Sequence, residues 1–205
     1  MDKKSTALVI IDMQNDFVHD EGFSKKNAPP DEHGNNPLDV LKEPIPHISS
    51  LAAFFRDNNM PVIHIYTACE ADYSDVALPR KVMTKAKEMG ALVKGTWGAN
   101  IIDELAPHPT DHMVRKTSYG GFFQTPLDRT LRNMQVTDLI ITGVNTNYCV
   151  ETTVREAVAY GYEVTLVSDA TKSFDLQGHE ATLKVIAAGF GEVMSTREVL
   201  QHIAA

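Results

Sequence analysis

The stretch LIITGVNTNYCV, residues 139–150, decides the fold class of this chain. Its first four residues form an apolar, β-rich run, and apolar residues at helical spacing begin at its last residue, Val150. A strand that passes through a short polar turn into a helix is the building unit of doubly wound α/β sheets. The same turn carries a thiol, Cys149, to the start of the helix.

This unit recurs along the chain. Apolar runs predict further strands at residues 7–11, 62–66, 112–114, 164–167 and, more weakly, 192–194. Several are apolar on successive residues, which is typical of parallel strands buried on both faces. Apolar residues at helical spacing predict helices between them, at residues 45–55, 81–89, 127–134, 150–160 and 180–188. We therefore predict a three-layer α-β-α fold of the Rossmann-like class, with right-handed crossovers.

Length, composition and net charge exclude several classes of protein function. A length of 205 residues predicts a single domain over residues 1–205. Only two cysteines are present, which excludes a disulfide framework and a four-cysteine zinc motif. A formal charge of −8 with no basic run disfavours nucleic acid as a ligand. With no membrane span or signal-peptide pattern near the N-terminus, we expect a cytoplasmic protein without a membrane partner.

Two stretches interrupt the alternation of strands and helices. Residues 20–39 are polar and rich in proline and asparagine, which predicts a long loop. Residues 67–100 contain the predicted helix 81–89, followed by three glycines around Trp97. Loops of this length in a compact domain are usually functional or flexible, so we expect part of the second stretch to form a lid.

Three chemically different side chains follow three predicted strands. Asp12 ends the first strand, Lys116 lies just after the third, and Cys149 follows the fourth. Ligands of open α/β sheets bind beyond the carboxyl ends of the strands, so these residues are expected to meet at one edge. A carboxylate, an amine and a thiol together favour nucleophilic catalysis.

Cys149 is the strongest single candidate. The start of a helix favours an anion, and a neighbouring lysine adds positive charge, so we expect a lowered thiol pKa. The alternative is a buried cysteine that acts as a small hydrophobic residue. We interpret Cys69 in this second way, because no helix start or partner accompanies it.

Other chemistries have weaker support. The eight histidines show no H-E-x-x-H or comparable ligand spacing, and Asp12 with Asp16 is only a weak metal signal. His64 lies within a predicted strand and is expected in the core, whereas His179 is a candidate helix cap or interface residue. No G-x-S-x-G motif or phosphate-binding glycine loop is present.

Three segments in order resemble the isochorismatase-like cysteine hydrolases. They are DMQNDF at residues 12–17, Lys116 followed by YGGFFQTPL at residues 119–127, and GVNTNYCVETT at residues 143–153. The resemblance spans residues 6–195. It implies a six-stranded parallel sheet of order 3-2-1-4-5-6, a catalytic triad of Asp12, Lys116 and Cys149, and a homodimer or homotetramer. It also implies an oxyanion hole of the backbone N–H groups of Asn145 and Cys149, the former after a cis Val144–Asn145 peptide.

Details of the sequence point to one branch of this family. True isochorismatases lack the cysteine, and zinc-bearing nicotinamidases carry an Asp-x-His motif where this chain reads YTACE, residues 66–70. The resemblance is therefore to the branch of N-carbamoylsarcosine and ureidoacrylate amidohydrolases, which implies metal-independent hydrolysis of a small amide, N-carbamoyl or ureido compound, with no cofactor. Five aromatic residues are expected to wall the pocket, with ordinary core or subunit packing as the alternative for each: Phe17, Trp97, Tyr119, Phe122 and Phe123.

Two alternatives stay open at this point. One is a nicotinamidase-like hydrolase, and the other is a non-catalytic α/β protein that binds a small molecule or acts as a scaffold.

Overall fold

The computed structural model describes residues 1–28 and 36–204. Its centre is a six-stranded sheet in which every neighbouring pair is parallel, in the order β3-β2-β1-β4-β5-β6. This confirms the fold class and the strand order. The strands are β1 (Thr6–Ile11), β2 (Val62–Thr67), β3 (His112–Lys116), β4 (Asp138–Val144), β5 (Glu163–Lys172) and β6 (Glu192–Met194).

Helices cover both faces of the sheet. They are α1 (Asn15–Val18), α2 (Phe23–Asn27), α3 (Ile45–Asp57), α4 (Arg80–Met89), α5 (Leu127–Asn133), α6 (Glu151–Ala159), α7 (Leu176–Gly189) and α8 (Thr196–Ala204). Short 3₁₀ turns lie at Asp39–Lys42 and Asp103–Leu105, and a π-helical turn at Thr146–Val150 leads into α6.

Strand β1 shows why the apolar runs are continuous. Leu8 and Ile10 pack with α3 and α8 in one core cluster, whereas Val9 and Ile11 pack with α5, α6 and α7 in the other. All six residues of β1 are fully buried, since alternating side chains enter opposite layers. A third, smaller cluster joins Cys69 and Tyr73 to α4.

Several boundaries differ from the sequence prediction. Helix α7 begins at Leu176 rather than residue 180, because Asp175 Oδ1 accepts a hydrogen bond from Gly178 N and caps the first turn. Helices α1 and α8 were not predicted, and α2 lies inside the predicted loop 20–39. The part of that loop at residues 29–35 lies outside the described residues. Gly161 has φ +88°, as expected of a glycine that ends a helix.

No helix within the described ranges combines the length and the apolar character needed to cross a bilayer.

Candidate active site

The structure brings Asp12, Lys116 and Cys149 together at the carboxyl edge of the sheet. Lys116 Nζ lies 2.8 Å from Asp12 Oδ2 and 3.4 Å from Cys149 Sγ. The strand order explains why these residues meet. Strand β1, which precedes Asp12, lies between β2 and β4; β3, which ends at Lys116, lies beside β2, and β4 precedes Cys149.

Thr67 and Gln14 hold the acidic side of the site. Thr67 Oγ1 donates to Asp12 Oδ1 at 3.0 Å and accepts from Lys116 Nζ at 2.7 Å. The Gln14 amide in turn binds the Thr67 backbone on both sides, through Nε2 to Thr67 O and through Oε1 from Thr67 N, each at 2.8 Å. Sequence reasoning missed both residues. The available signal was their position, directly after β1 and at the end of β2.

Lys116 is completely buried and stays cationic. Burial acts to lower the pKa of its ammonium, but the Asp12 carboxylate, and Cys149 when it is ionised, oppose this, so the pKa is raised. Its remaining hydrogen bond goes to Ser118 O at 3.1 Å. Asp12 Oδ2 lies beside the ammonium but accepts no well-directed hydrogen bond from any described residue. A lone pair of this oxygen is therefore free to accept a proton.

Cys149 differs from the sequence expectation in its protonation. Burial and the nearby Asp12 carboxylate raise the pKa of the thiol to about 12, and Lys116 offsets this only in part. The expectation of a lowered pKa was wrong, because it counted the helix start and the lysine but not burial beside a carboxylate. The resting site therefore holds a neutral thiol next to an ion pair.

The turn that carries Cys149 has an unusual backbone. The Val144–Asn145 peptide is cis, as the family resemblance implies. Gly143 has φ +110°, and a Cβ there would lie 2.1 Å from Ile11 O, so the position requires glycine. The Asn145 carbonyl accepts from the backbone N–H groups of Tyr148 and Val150, which closes the turn.

A cavity of about 260 Å³ opens beside the thiol. Phe17 and Tyr119 line it, as their positions in the sequence predict. Its other lining residues, besides Lys116 and Cys149, are Phe23, Ser24, Thr67, Leu78, Ala86, Leu92, Asn145, Tyr148 and Phe174. Sequence reasoning missed most of these. Asn145 Oδ1 is buried without a hydrogen-bond partner among the described residues, so it can accept from a ligand N–H.

Three of the expected wall residues lie elsewhere. Phe122 is 3 % exposed and stacks on Tyr160 with ring centroids 5.1 Å apart, so it belongs to the core. Trp97 is half-exposed and lines a separate open groove, where it packs edge-on against His19. Phe123 is half-exposed outside the cavity. A GGFF segment shows where aromatic residues occur, but not which ring turns inward.

The remaining candidates have structural surroundings. Cys69 is fully buried in the third core cluster, and burial raises the pKa of its thiol to about 11. Asp16 accepts hydrogen bonds from Phe23 N and Leu92 N, which fixes the loops around the cavity. His179 caps no helix: its Nδ1 lies against Thr146 in the interior. Within the described residues, no three His, Cys, Asp or Glu side chains come together as a metal site.

A cysteine beside a buried lysine–aspartate pair, at the edge of a doubly wound sheet, defines the class of α/β cysteine hydrolases. The chain belongs to the isochorismatase family, whose Isochorismatase domain matches residues 6–198. The protein is therefore a hydrolase of that family.

Three similar proteins illustrate the relationship. A ureidoacrylate amidohydrolase, RutB of Methylobacterium radiotolerans, is 32 % identical over 94 % of this chain and 77 % of its own length. A probable inactive nicotinamidase of Arabidopsis thaliana is 31 % identical over 88 % of this chain and 87 % of its own length. The crystal structure of a cysteine hydrolase from Pseudomonas syringae superposes with a TM-score of 0.87 at 28 % identity, covering 100 % of this chain and 94 % of that one.

Proposed function

We propose that this protein hydrolyses a carbon–nitrogen bond of a small amide, N-carbamoyl or ureido compound through a thioester on Cys149, without a metal ion. The observation that carries the proposal is the position of Lys116 Nζ, 2.8 Å from Asp12 Oδ2 and 3.4 Å from Cys149 Sγ. The similarity to RutB amidohydrolases supports this bond type.

The first half-reaction forms the thioester. Asp12 takes the thiol proton as Cys149 Sγ attacks the substrate carbonyl carbon, and the carbonyl π electrons move to oxygen. Lys116 keeps the developing thiolate and the carboxyl group together throughout. When the tetrahedral intermediate collapses, the C–N bond breaks and Asp12 returns the proton to the leaving nitrogen. Ammonia or an amine departs, and the acyl or carbamoyl group stays on sulfur.

Water completes the cycle. Asp12 removes a proton from water as its oxygen attacks the thioester carbon, and the C–S bond then breaks. The thiolate recovers its proton from Asp12. An amide yields a carboxylic acid by this route, and a ureido or N-carbamoyl compound yields a carbamic acid, which loses carbon dioxide.

Stabilisation of the tetrahedral oxyanion requires fixed donors, and the backbone N–H groups of Asn145 and Cys149 are our candidates. Both residues line the cavity. One such donor typically lowers the barrier by ~3–4 kcal/mol. Asn145 Oδ1, which has no hydrogen-bond partner among the described residues, can accept from the substrate amide N–H. The aromatic and aliphatic walls, including Phe17 and Tyr119, favour a small substrate with an apolar or planar body.

An ammonia-release screen tests this proposal. Primary amides, N-carbamoyl acids, ureido acids and biuret are incubated with the wild type, with Cys149→Ala and with Cys69→Ala. We expect at least one compound to release ammonia with the wild type and with Cys69→Ala, and none with Cys149→Ala. Acid quenching followed by mass spectrometry should show an acyl adduct on Cys149. Turnover that persists in Cys149→Ala would refute the nucleophile assignment.

The proposal extends to assembly and location. We propose a homodimer or homotetramer that takes a small-molecule substrate and no nucleic acid. Tyr148 and Phe174, which line the cavity, and Leu176 support this, since all three are exposed and their burial would be favourable. Light scattering after size-exclusion chromatography tests the oligomeric state.

Both cysteines are free, which favours the reducing cytoplasm, and cell fractionation tests this location.

A further inference from the structure

A buried chain of hydroxyl groups connects α7 to the turn that carries the nucleophile. Thr171 Oγ1 donates to Gly143 O at 2.8 Å and lies 3.0 Å from Thr146 Oγ1. Thr146 Oγ1 in turn lies 2.8 Å from His179 Nδ1. All three side chains are at least nine-tenths buried, and none of them has a role in the mechanism above.

The proton count determines the direction of every bond in this chain. A carbonyl oxygen can only accept a hydrogen bond, so Thr171 donates its single hydroxyl proton to Gly143 O. Thr146 must therefore donate to Thr171, which leaves its oxygen to accept from the histidine. Only a proton on Nδ1 of His179 satisfies the whole chain. The Nδ1–H tautomer is thus required by the geometry.

The hydroxyl chain contacts the backbone segment that carries the nucleophile on both sides of the Val144–Asn145 peptide. Gly143 immediately precedes the Val144–Asn145 peptide, and Thr146 immediately follows it. Cys149 lies in the same π-helical turn as Thr146. The hydroxyl chain therefore ties together the end of β4, the start of the turn and the end of β5, where Thr171 pairs with Gly143 in the sheet.

Protonation of His179 at its second nitrogen would not break the chain, because Nδ1 keeps its proton in both states. Burial and the nearby Lys172 lower the pKa of this imidazole, so the neutral form is favoured. His179 also borders a surface cavity whose lining includes Glu43, Lys172 and Glu180.

We propose that His179 is a positioning residue, whose Nδ1–H anchors Thr146 and Thr171 and thereby sets the geometry of residues 143–149 for attack. The part of this inference that concerns turnover rests on the proposed function. The part that concerns the tautomer and the geometry of the thiol does not.

The tautomer is tested directly on the wild type. Nitrogen-15 NMR of the histidine side chains, with His179→Asn used to assign the signal, should show a protonated Nδ1 and an unprotonated Nε2 at pH 7.5. A protonated Nε2 with a bare Nδ1 would overturn the inference, since the hydroxyl chain would then lack a donor.

Matched variants test the positioning role. The side-chain nitrogen of asparagine lies close to the position of Nδ1, whereas that of glutamine lies closer to Nε2. We expect His179→Asn to keep kcat within about threefold, and His179→Gln to lower it by roughly 10- to 100-fold with little change in KM. Thr146→Ser should likewise retain kcat where Thr146→Val loses it, because serine keeps the hydroxyl.

The control is Thr182→Val on the same helix. Thr182 is 3 % exposed and donates to Glu151 Oε2 at 2.7 Å, outside the hydroxyl chain. Its loss should lower the melting temperature and leave kcat near that of the wild type. Equal effects of His179→Gln and Thr182→Val on kcat would reduce His179 to a stabilising role and overturn the proposal.

A second readout needs no turnover. The rate at which iodoacetamide alkylates Cys149 should change in His179→Gln and stay unchanged in His179→Asn and Thr182→Val. If no amide is hydrolysed, the proposed function fails, and this alkylation pattern still decides whether His179 positions the thiol.

Discussion

At the scale of single residues, the site is governed by two opposite charges beside one thiol. Burial and the Asp12 carboxylate raise the pKa of the Cys149 thiol, and the Lys116 ammonium lowers it. A neutral thiol at rest is compatible with rapid chemistry, because Asp12 can take the proton during attack rather than before it. The effects of Asp12 and Lys116 on the reactivity of the thiol can therefore be distinguished by experiment.

Substitution of the two charged residues should change thiol reactivity in opposite directions. In a Cys69→Ala background, Asp12→Asn removes the negative charge, so iodoacetamide should alkylate Cys149 faster at pH 8. Lys116→Met removes the positive charge and should slow alkylation. Both variants should lose at least ~10²-fold in turnover, since one lacks the base and the other lacks the stabilising cation. Alkylation rates against pH and steady-state kinetics check this.

Circular dichroism and thermal melts serve as the folding control for both variants, because each leaves a buried charge without its partner. Alkylation rates that shift in the same direction would contradict the opposed influence of the two charges.

At the scale of elements, α2 supplies a cavity wall that its sequence did not predict, whereas the 119–127 segment supplies Tyr119 but not Phe122 or Phe123. Phe23 of α2 lines the cavity, although the sequence predicts a loop there. Phe122 of the GGFF segment is in the core between Tyr160 and Tyr162 instead.

The two phenylalanines should therefore respond differently to truncation. Phe23→Ala should raise KM severalfold with little loss of stability, because it removes a cavity wall that is only partly buried. Phe122→Ala should lower the free energy of unfolding by ~3–5 kcal/mol, the usual cost of deleting a buried ring, and leave KM unchanged at temperatures where it is folded. Steady-state kinetics and urea titrations check the pair. A KM effect of Phe122→Ala alone would show that our cavity lining is wrong.

A buried junction between α3, β2 and the residues before β3 should make stability depend on pH. His64 Nε2 lies 3.1 Å from Asp111 Oδ2, which also accepts from Arg56 Nη2 at 2.5 Å. Burial lowers the pKa of His64 below its usual 6.5, despite the opposing attraction of Asp111. The native state therefore binds fewer protons than the unfolded state just below pH 6.5, and stability falls as the pH falls.

We expect the free energy of unfolding to decrease as the pH drops from 6.5 to 5, and His64→Leu to reduce this slope by up to about 1.4 kcal/mol per pH unit. Urea titrations at several pH values measure it. His112→Gln, an exposed change on the neighbouring strand β3, is the control and should keep the wild-type slope. A slope that does not change in His64→Leu would show that another group causes the dependence.

At the scale of the whole molecule, the proposed chemistry makes a prediction about metal. A thiol nucleophile with backbone donors for the oxyanion meets the developing charge without a Lewis acid. Activity should therefore survive prolonged incubation with EDTA or phenanthroline, and elemental analysis of the purified protein should find substoichiometric transition metal. Activity that is lost on chelation and restored by zinc or manganese would favour the nicotinamidase-like alternative.

Much of the architecture could be predicted because short stretches of apolar residues indicate which strands are buried. The apolar runs of β1, β2 and β4 predicted strands buried on both faces, and the edge of such a sheet predicted where Asp12, Lys116 and Cys149 would meet. The four-residue helix α1 could not be predicted, because so short a segment carries no periodicity.

By itself, the sequence determined the fold class, the strand order implied by the family resemblance and the residues that meet at the edge of the sheet. These depend on hydrophobic patterning and on the order of residues along the chain, which are local properties. Only the tertiary structure decided that Phe23 rather than Phe122 lines the cavity, that Thr67 joins Asp12 to Lys116, and that the thiol pKa is raised. Each of these depends on distances and burial between residues far apart in the chain, which no local pattern contains.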